Sequence, residues 1–404
     1  MGALTVATTR VARARVAHGT GEKPRATQSP NSSLAGSGSD TRVGDAEAGK
    51  VQRLLEDEEV TLLRQLQARI QLFDTKSGEL IPLMDLLRPG APLYKADVIC
   101  IGELHDSDAD HTLQRLLLDS LTYVLFLELR RGEGIDPRSP QGRTPQNQSP
   151  QRVALGVEYF SRQQQSTLDD LIFGGRSTGS SMFRKAVDWD NVWNYDWSLY
   201  APLFRFCQLN LTRIVGLNIP YEAIQLVSKG GMEALPAWLR ESLPELDLSQ
   251  TGHRQRFENL LRMPLEQAVA SVAASSTAYV PNSALDRAYQ AQVLWDEYMA
   301  DTARRYLQAN GGRLVVFAGQ NHVWRDAIPD RLERQARRAG APGVKVVSVV
   351  PWRGSIGNVA QLPKGADFIL PMSGLGGGDE LAAEATAQRV RLRGKPRVFP
   401  AGFL

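Results

Sequence analysis

Four side chains of this 404-residue chain carry the chemistry of a reaction centre: Glu103, His105, Glu158 and His322. Each follows a short apolar run. D-V-I-C-I leads into Gly102-Glu103-Leu104-His105-Asp106, V-A-L-G-V into Glu158, and L-V-V-F-A into Gly319-Gln320-Asn321-His322. A fourth run, I-V-G-L, leads into Asn218 and Pro220. Two carboxylates held close together raise the pKa of one of them unless a cation or an imidazolium lies between. Two carboxylates with two imidazoles suit a divalent metal. They also suit general acid/base catalysis. The residue types leave both open. Taken singly, each has a plain structural role: Glu103 as an acid at a helix N-terminus, His105 as a satisfied core histidine. Taken together, polar residues at the ends of several buried strands point to a site.

Other residues border this set. Trp189, Trp193, Tyr195, Trp197 and Tyr200 crowd into D-W-D-N-V-W-N-Y-D-W-S-L-Y. Such density lines a flat ligand pocket or packs a core. Asp296 and Glu297 sit on a long helical stretch, where they either face the site or pair with Arg304 and Arg305. His111 lies in helical sequence beyond His105, His18 in the N-terminal tail and His253 in a charged loop; none of the three is assigned a role.

These side chains need elements to hold them. Val98–Ile101, Tyr123–Leu129, Val153–Val157, Ile214–Leu217, Leu314–Ala318 and Val344–Val350 read as short buried strands, with helical segments between most of them. That alternation predicts an α/β fold: a mainly parallel central sheet with helices on both faces, plus a helical subdomain. In such sheets ligands bind beyond the carboxyl ends of the strands, so parallel neighbours would bring the polar residues to one rim. Leu80–Leu87 reads as a short helix, and a clear helix runs from about Asp286 to Gln308. Residues 132–151, rich in Pro, Gln, Ser, Gly and Arg, read as a solvated insertion between two strands. A helical insertion spans about 221–310, within a main domain of 50–404.

Composition removes several function classes. No apolar run reaches the ~18 residues of a membrane-spanning helix. Cys100 and Cys207 lie in apolar and aromatic surroundings and read as buried small hydrophobes, so neither a disulfide framework nor a cysteine-ligated zinc site is expected. The net charge is +3. Arg10, Arg13, Arg15, Lys23, Arg25 and Arg42 outnumber Glu22 and Asp40 in the first 43 residues. The remainder is therefore close to neutral and lacks the basic stripe of a nucleic-acid binder. The first ~20 residues hold no acid and precede Ser-rich sequence, so residues 1–49 read as an organellar transit segment or a disordered tail.

Six blocks, in order, carry a family likeness. I-G-E-L-H-D-S-D-A-D-H resembles the opening motif of ChaN-like haem-binding proteins. A-L-G-V-E-Y-F-S-R-Q-Q-Q-S-T-L-D resembles their second motif, matched by Glu158, Gln165, Leu168 and Asp169. W-N-Y-D-W-S-L-Y-A-P-L-F is similar to a Trp–Tyr–Pro segment, matched by Trp197, Tyr200 and Pro202. I-V-G-L-N-I-P brings Asn218 and Pro220, V-L-W-D-E-Y-M-A brings Asp296, Glu297 and Met299, and V-V-F-A-G-Q-N-H brings Gly319 and His322. The likeness runs from about Leu80 to about Leu370. It implies haem as cofactor, a tetrapyrrole partner, a role in iron or tetrapyrrole handling and a possible homodimer. It makes Asn218, Gln165, Trp197, Tyr200, Asp296 and Glu297 candidate ligand-binding residues. Members in photosynthetic organisms look closest, which implies a plastid. The wider superfamily includes Tiki-type metal-dependent proteases and erythromycin esterases. Its alternative for this chain is a metal-dependent hydrolase built on Glu103, His105, Glu158 and His322, and a non-catalytic scaffold with a retained site is a third reading.

Overall fold

Short β-branched runs that are apolar throughout favour strands buried on both faces, and eight strands join in one sheet. The computed structural model describes residues 65–132, 153–174, 180–260, 282–341, 343–354 and 365–372, with Asp379 and Ala383. All fall within a unit spanning Leu63–Ala387. The expected transit segment and the insertion from residue 133 onward lie outside the described residues.

The strands are β1 (Gln71–Asp74), β2 (Leu80–Pro82), β3 (Val98–Glu103), β4 (Val153–Ser161), β5 (Ile214–Asn218), β6 (Arg313–Gly319), β7 (Val346–Trp352) and β8 (Phe368–Pro371). Their order across the sheet is β2-β1-β8-β7-β3-β6-β4-β5. From β8 to β5 every pairing is parallel. The β1–β2 hairpin closes the far edge antiparallel to β8. The expected mainly parallel α/β sheet is what forms.

Among the described residues, seven helical spans have eight residues or more: α1 (Asp108–Gly132), α2 (Gln165–Phe173), α3 (Trp197–Leu209), α4 (Tyr221–Gly230), α5 (251–260), α6 (Asn282–Asn310) and α7 (Ile328–Arg338). Side chains alternate across a strand, so each strand serves two layers. Val98, Cys100, Leu314, Val316, Val215 and Leu217 pack with Met299, Ala300 and Ala303 of α6 and Ile328 and Leu332 of α7. Ile99, Ile101, Leu155, Val157, Val315 and Phe317 alternate with residues of that layer and are also buried. The sheet is therefore covered on both sides. Each fully buried aliphatic chain contributes about 1.5–3 kcal/mol relative to exposure.

Two expectations change. Tyr123–Leu129 is not a strand but part of α1. Short apolar runs do not distinguish a strand from a buried helix. The hydroxyls of Ser120 and Thr122 bond back to the carbonyls of Leu116 and Leu118, one turn earlier. The insertion thus follows a helix rather than a strand. Leu80–Leu87 divides into strand β2 and a helical turn, Leu83–Leu86, that begins after Pro82.

Candidate ligand-binding site

The register places the strand ends side by side: Glu103 of β3 pairs with Gly319 of β6, and Val157 of β4 with Phe317 of β6. Glu103, Glu158 and the turn carrying His322 therefore reach one rim. Glu103 is buried and bonds through Oε1 to His105 Nδ1 at 2.9 Å. The loop carrying His105 is tied down twice: its carbonyl accepts from Tyr200 Oη at 3.0 Å and lies 3.1 Å from His111 Nε2. The Tyr200 hydroxyl also lies 3.3 Å from Glu103 Oε1, an alternative acceptor for its one proton. The His105 ring then lies over Gly319, where a Cβ atom would stand 2.9 Å from its Cε1 and Nε2. Only glycine leaves that space open.

Beyond Gly319 runs a buried chain of ionisable groups. Glu158 accepts the Gly319 N–H at 2.6 Å and lies 3.4 Å from His322 Nε2. The other ring nitrogen of His322 meets Asp296 Oδ1 at 2.6 Å. Asp296 Oδ2 meets His253 Nε2 at 2.9 Å, and His253 Nδ1 lies 3.1 Å from the Tyr289 hydroxyl. Burial alone would raise the Glu158 pKa, but His322, helped by His105 and the Gly319 N–H, outweighs it and pulls it down to about 2. Burial alone would lower that of His322, but Glu158 and Asp296 outweigh it and push it up to about 10. Asp296 is held well below the usual carboxylate range, its burial overcome by His322, His253 and Arg331. His105 is raised: burial opposes its charge, and Glu103 and Glu158 more than compensate.

The aromatic segment divides in two. Trp189, Trp197 and Tyr200 are core, buried among Tyr159, Phe160, Phe183 and Phe204. Trp193 and Tyr195 stand at the rim instead. Their ring centroids lie 4.9 and 5.0 Å from that of His105. Tyr195 is 38% exposed, and the neighbouring Leu104 36%. The His105 side chain is 23% exposed, so an imidazole, an indole and a phenol share one open face.

The other expected ligand-binding residues play different parts. Asn218 bonds to the Glu158 carbonyl and to the Ile219 N–H, and so holds the β4 and β5 ends together. Gln165 lies along β5: its amide donates to the Ile214 carbonyl at 2.8 Å and accepts from the Gly216 N–H at 3.1 Å. Glu297 turns away toward Arg334, Gln335 and the Asp247 N–H. It is one step around the helix from Asp296, about 100° away, which puts it at the α6–α7 junction.

The four expected metal ligands do not stand as a metal set. Glu103 is bonded to His105 and Tyr200, and Glu158 to Gly319 and His322. Among the described residues no group of three or more His, Cys, Asp or Glu is disposed to hold a metal ion. Three buried participants escaped the sequence reading: His111, His253 and Arg331. His253 is helical rather than in a loop, and it is buried on that helix. Arg331 lies within 4.0 Å of Asp296 and 3.5 Å of Glu297.

The fold is a mainly parallel α/β sheet whose carboxyl-end rim presents an imidazole, an indole and a phenol over a buried charge chain, a candidate ligand-binding face. A family sequence model described as "Haem-binding uptake, Tiki superfamily, ChaN" matches residues 91–332. The chain belongs to that family. In fold it is similar to ChaN of Campylobacter jejuni, solved with cofacial haem, with a TM-score of 0.53 at 19% identity over 74% of this chain and 95% of that one. An erythromycin esterase variant, EreC in its open conformation, aligns with a TM-score of 0.32 at 12% identity over 70% of this chain and 76% of that one. A Bacillus cereus protein gives 0.32 at 12% over 72% and 74%. A search of curated proteins finds no match.

Proposed function

We propose that this chain binds haem on the rim face formed by His105, Trp193 and Tyr195. The observation that carries the reading is the partly exposed imidazole packed against an indole and a phenol, with Glu103 fixing the imidazole from behind. Tyrosine and histidine are both axial ligands of haem iron. Tyr195 and His105 are the side chains that would hold the iron, and Trp193 the ring against which the macrocycle would pack. Bound haem would supply a redox-active iron and a visible chromophore. The protein's contribution is to fix the His105 ring through Glu103, Tyr200 and His111, and to set Glu158 beneath it.

The same geometry disfavours acid/base hydrolysis by the inner pair. A general acid or base works best with a pKa near the operating pH. Glu158 is pulled below the usual carboxylate range and His322 pushed above the usual imidazole range, each chiefly by the other's charge, which suits a lasting ion pair better than proton exchange.

Haem titration of the purified chain, followed at the Soret band, tests the reading. Saturable binding is expected, and Tyr195→Phe and His105→Ala are each expected to weaken it about tenfold, a lost contact to iron or ring being worth on the order of 1–2 kcal/mol. A folded wild-type chain that leaves the haem spectrum unchanged would end the proposal. The acid-free, arginine-bearing first residues support delivery to a plastid. Fusing residues 1–49 to a fluorescent protein checks this in plant cells, where signal confined to the cytosol would count against it.

A further inference from the structure

Arg162 leaves the sheet directly after β4, in the turn Arg162–Gln164. Ser161, the last residue of β4, pairs with Asn218, the last of β5. Arg162 therefore stands at the same carboxyl-end rim as Glu158, on the β5 side. Its guanidinium lies 4.2 Å over the ring of Tyr298. Its Nη2 reaches Asp301 Oδ2 at 3.0 Å and Thr302 Oγ1 at 2.6 Å. Helix α6 adds two more guanidiniums to the same carboxylate: Arg304 Nη2 at 2.9 Å from Oδ1 and Arg305 Nε at 2.7 Å from Oδ2.

One carboxylate thus anchors three guanidiniums, and among the described residues none of the three has a second carboxylate within salt-bridge distance. Two positive charges are left over. The Asp301 side chain is 6% exposed, so the cluster is rooted, whereas Arg305 is 57% and Arg162 31% exposed. Converging cations repel one another, and an anion joining them relieves that repulsion. Guanidinium forks match a tetrahedral oxyanion, pairing two N–H groups with two oxygens. A charge excess of two suits a dianion, and the carboxyl-end rim is where parallel sheets take ligands.

We propose that Arg162, Arg304 and Arg305 form an oxyanion site for a phosphate-class dianion, free or carried as an ester. The site does not rest on the haem reading. Isothermal titration of the whole chain with inorganic phosphate, and separately with glycerol 2-phosphate, tests it and separates the two forms. One saturable site that weakens as salt is raised is expected for at least one probe. Arg305→Gln, at an exposed position, is expected to weaken it about tenfold or more, as loss of a charge-assisted hydrogen bond does. Asp301→Asn is expected to tighten it, because it removes the competing carboxylate; a merely structural ion-pair network would show no such gain. No heat with either probe at millimolar concentration, or an Arg305→Gln chain that binds as well as wild type, overturns the proposal.

Discussion

Asp296 is the residue on which the buried charges turn. One carboxylate faces two imidazoles, His322 at 2.6 Å and His253 at 2.9 Å, so His322 can stay charged without solvent. That arrangement sets a pH dependence. His322 rises from an ordinary 6.5 to about 10, so the stability it contributes is complete below 6.5 and is lost as pH climbs toward 10. Glu158 falls from an ordinary 4.5 to about 2, so its contribution is complete above 4.5 and is lost as pH drops toward 2. Together they favour folding most between about 4.5 and 6.5. Denaturant melts carried from that range to alkaline pH should show stability declining above the upper limit. His322→Gln should be less stable overall, by roughly 3–5 kcal/mol for a broken buried ion pair, and should lack the alkaline decline. An undiminished alkaline slope in the variant would show that another group is responsible.

At the scale of elements, the site depends on how closely the turn after β3 approaches the end of β6. A Cβ at position 319 would stand 2.9 Å from the His105 ring, nearer than side-chain atoms pack. Gly319→Ala should therefore push the imidazole off its seat. Haem affinity is expected to fall about tenfold while stability changes by only ~1–3 kcal/mol, the usual cost of overpacking. Retained affinity in that variant would mean that the ring position does not matter. The strands that carry the site were readable in advance because β3, β4, β5 and β6 are apolar runs ending in polar residues. That pattern predicted Glu103, His105, Glu158 and His322 at one rim. Strands β1, β2 and β8 were not read: each has only three or four residues, too few for alternation to register. Asp296 and Glu297 could not be separated without knowing the rotation of α6. Trp193 and Tyr195 could not be told from Trp189 and Trp197, because spacing does not reveal which rings face solvent. His253 was obscured by the charged residues around it.

For the molecule as a whole, the rim places two chemically different surfaces along one edge of the sheet, the aromatic face at β3 and the arginine cluster beyond β4 and β5. Among the described residues no helix is long and apolar enough to cross a membrane. Gln165 has a consequence at this scale. Its side-chain amide occupies both the carbonyl of Ile214 and the N–H of Gly216, mimicking the peptide group of a ninth strand. An unprotected outer strand invites another chain to add to it. This plug blocks that route along β5, so strand addition by another copy is disfavoured at that edge. Gln165→Ala should uncover the edge. Light scattering on warming is expected to show the variant clumping earlier than wild type, and identical onset temperatures would mean the plug is dispensable.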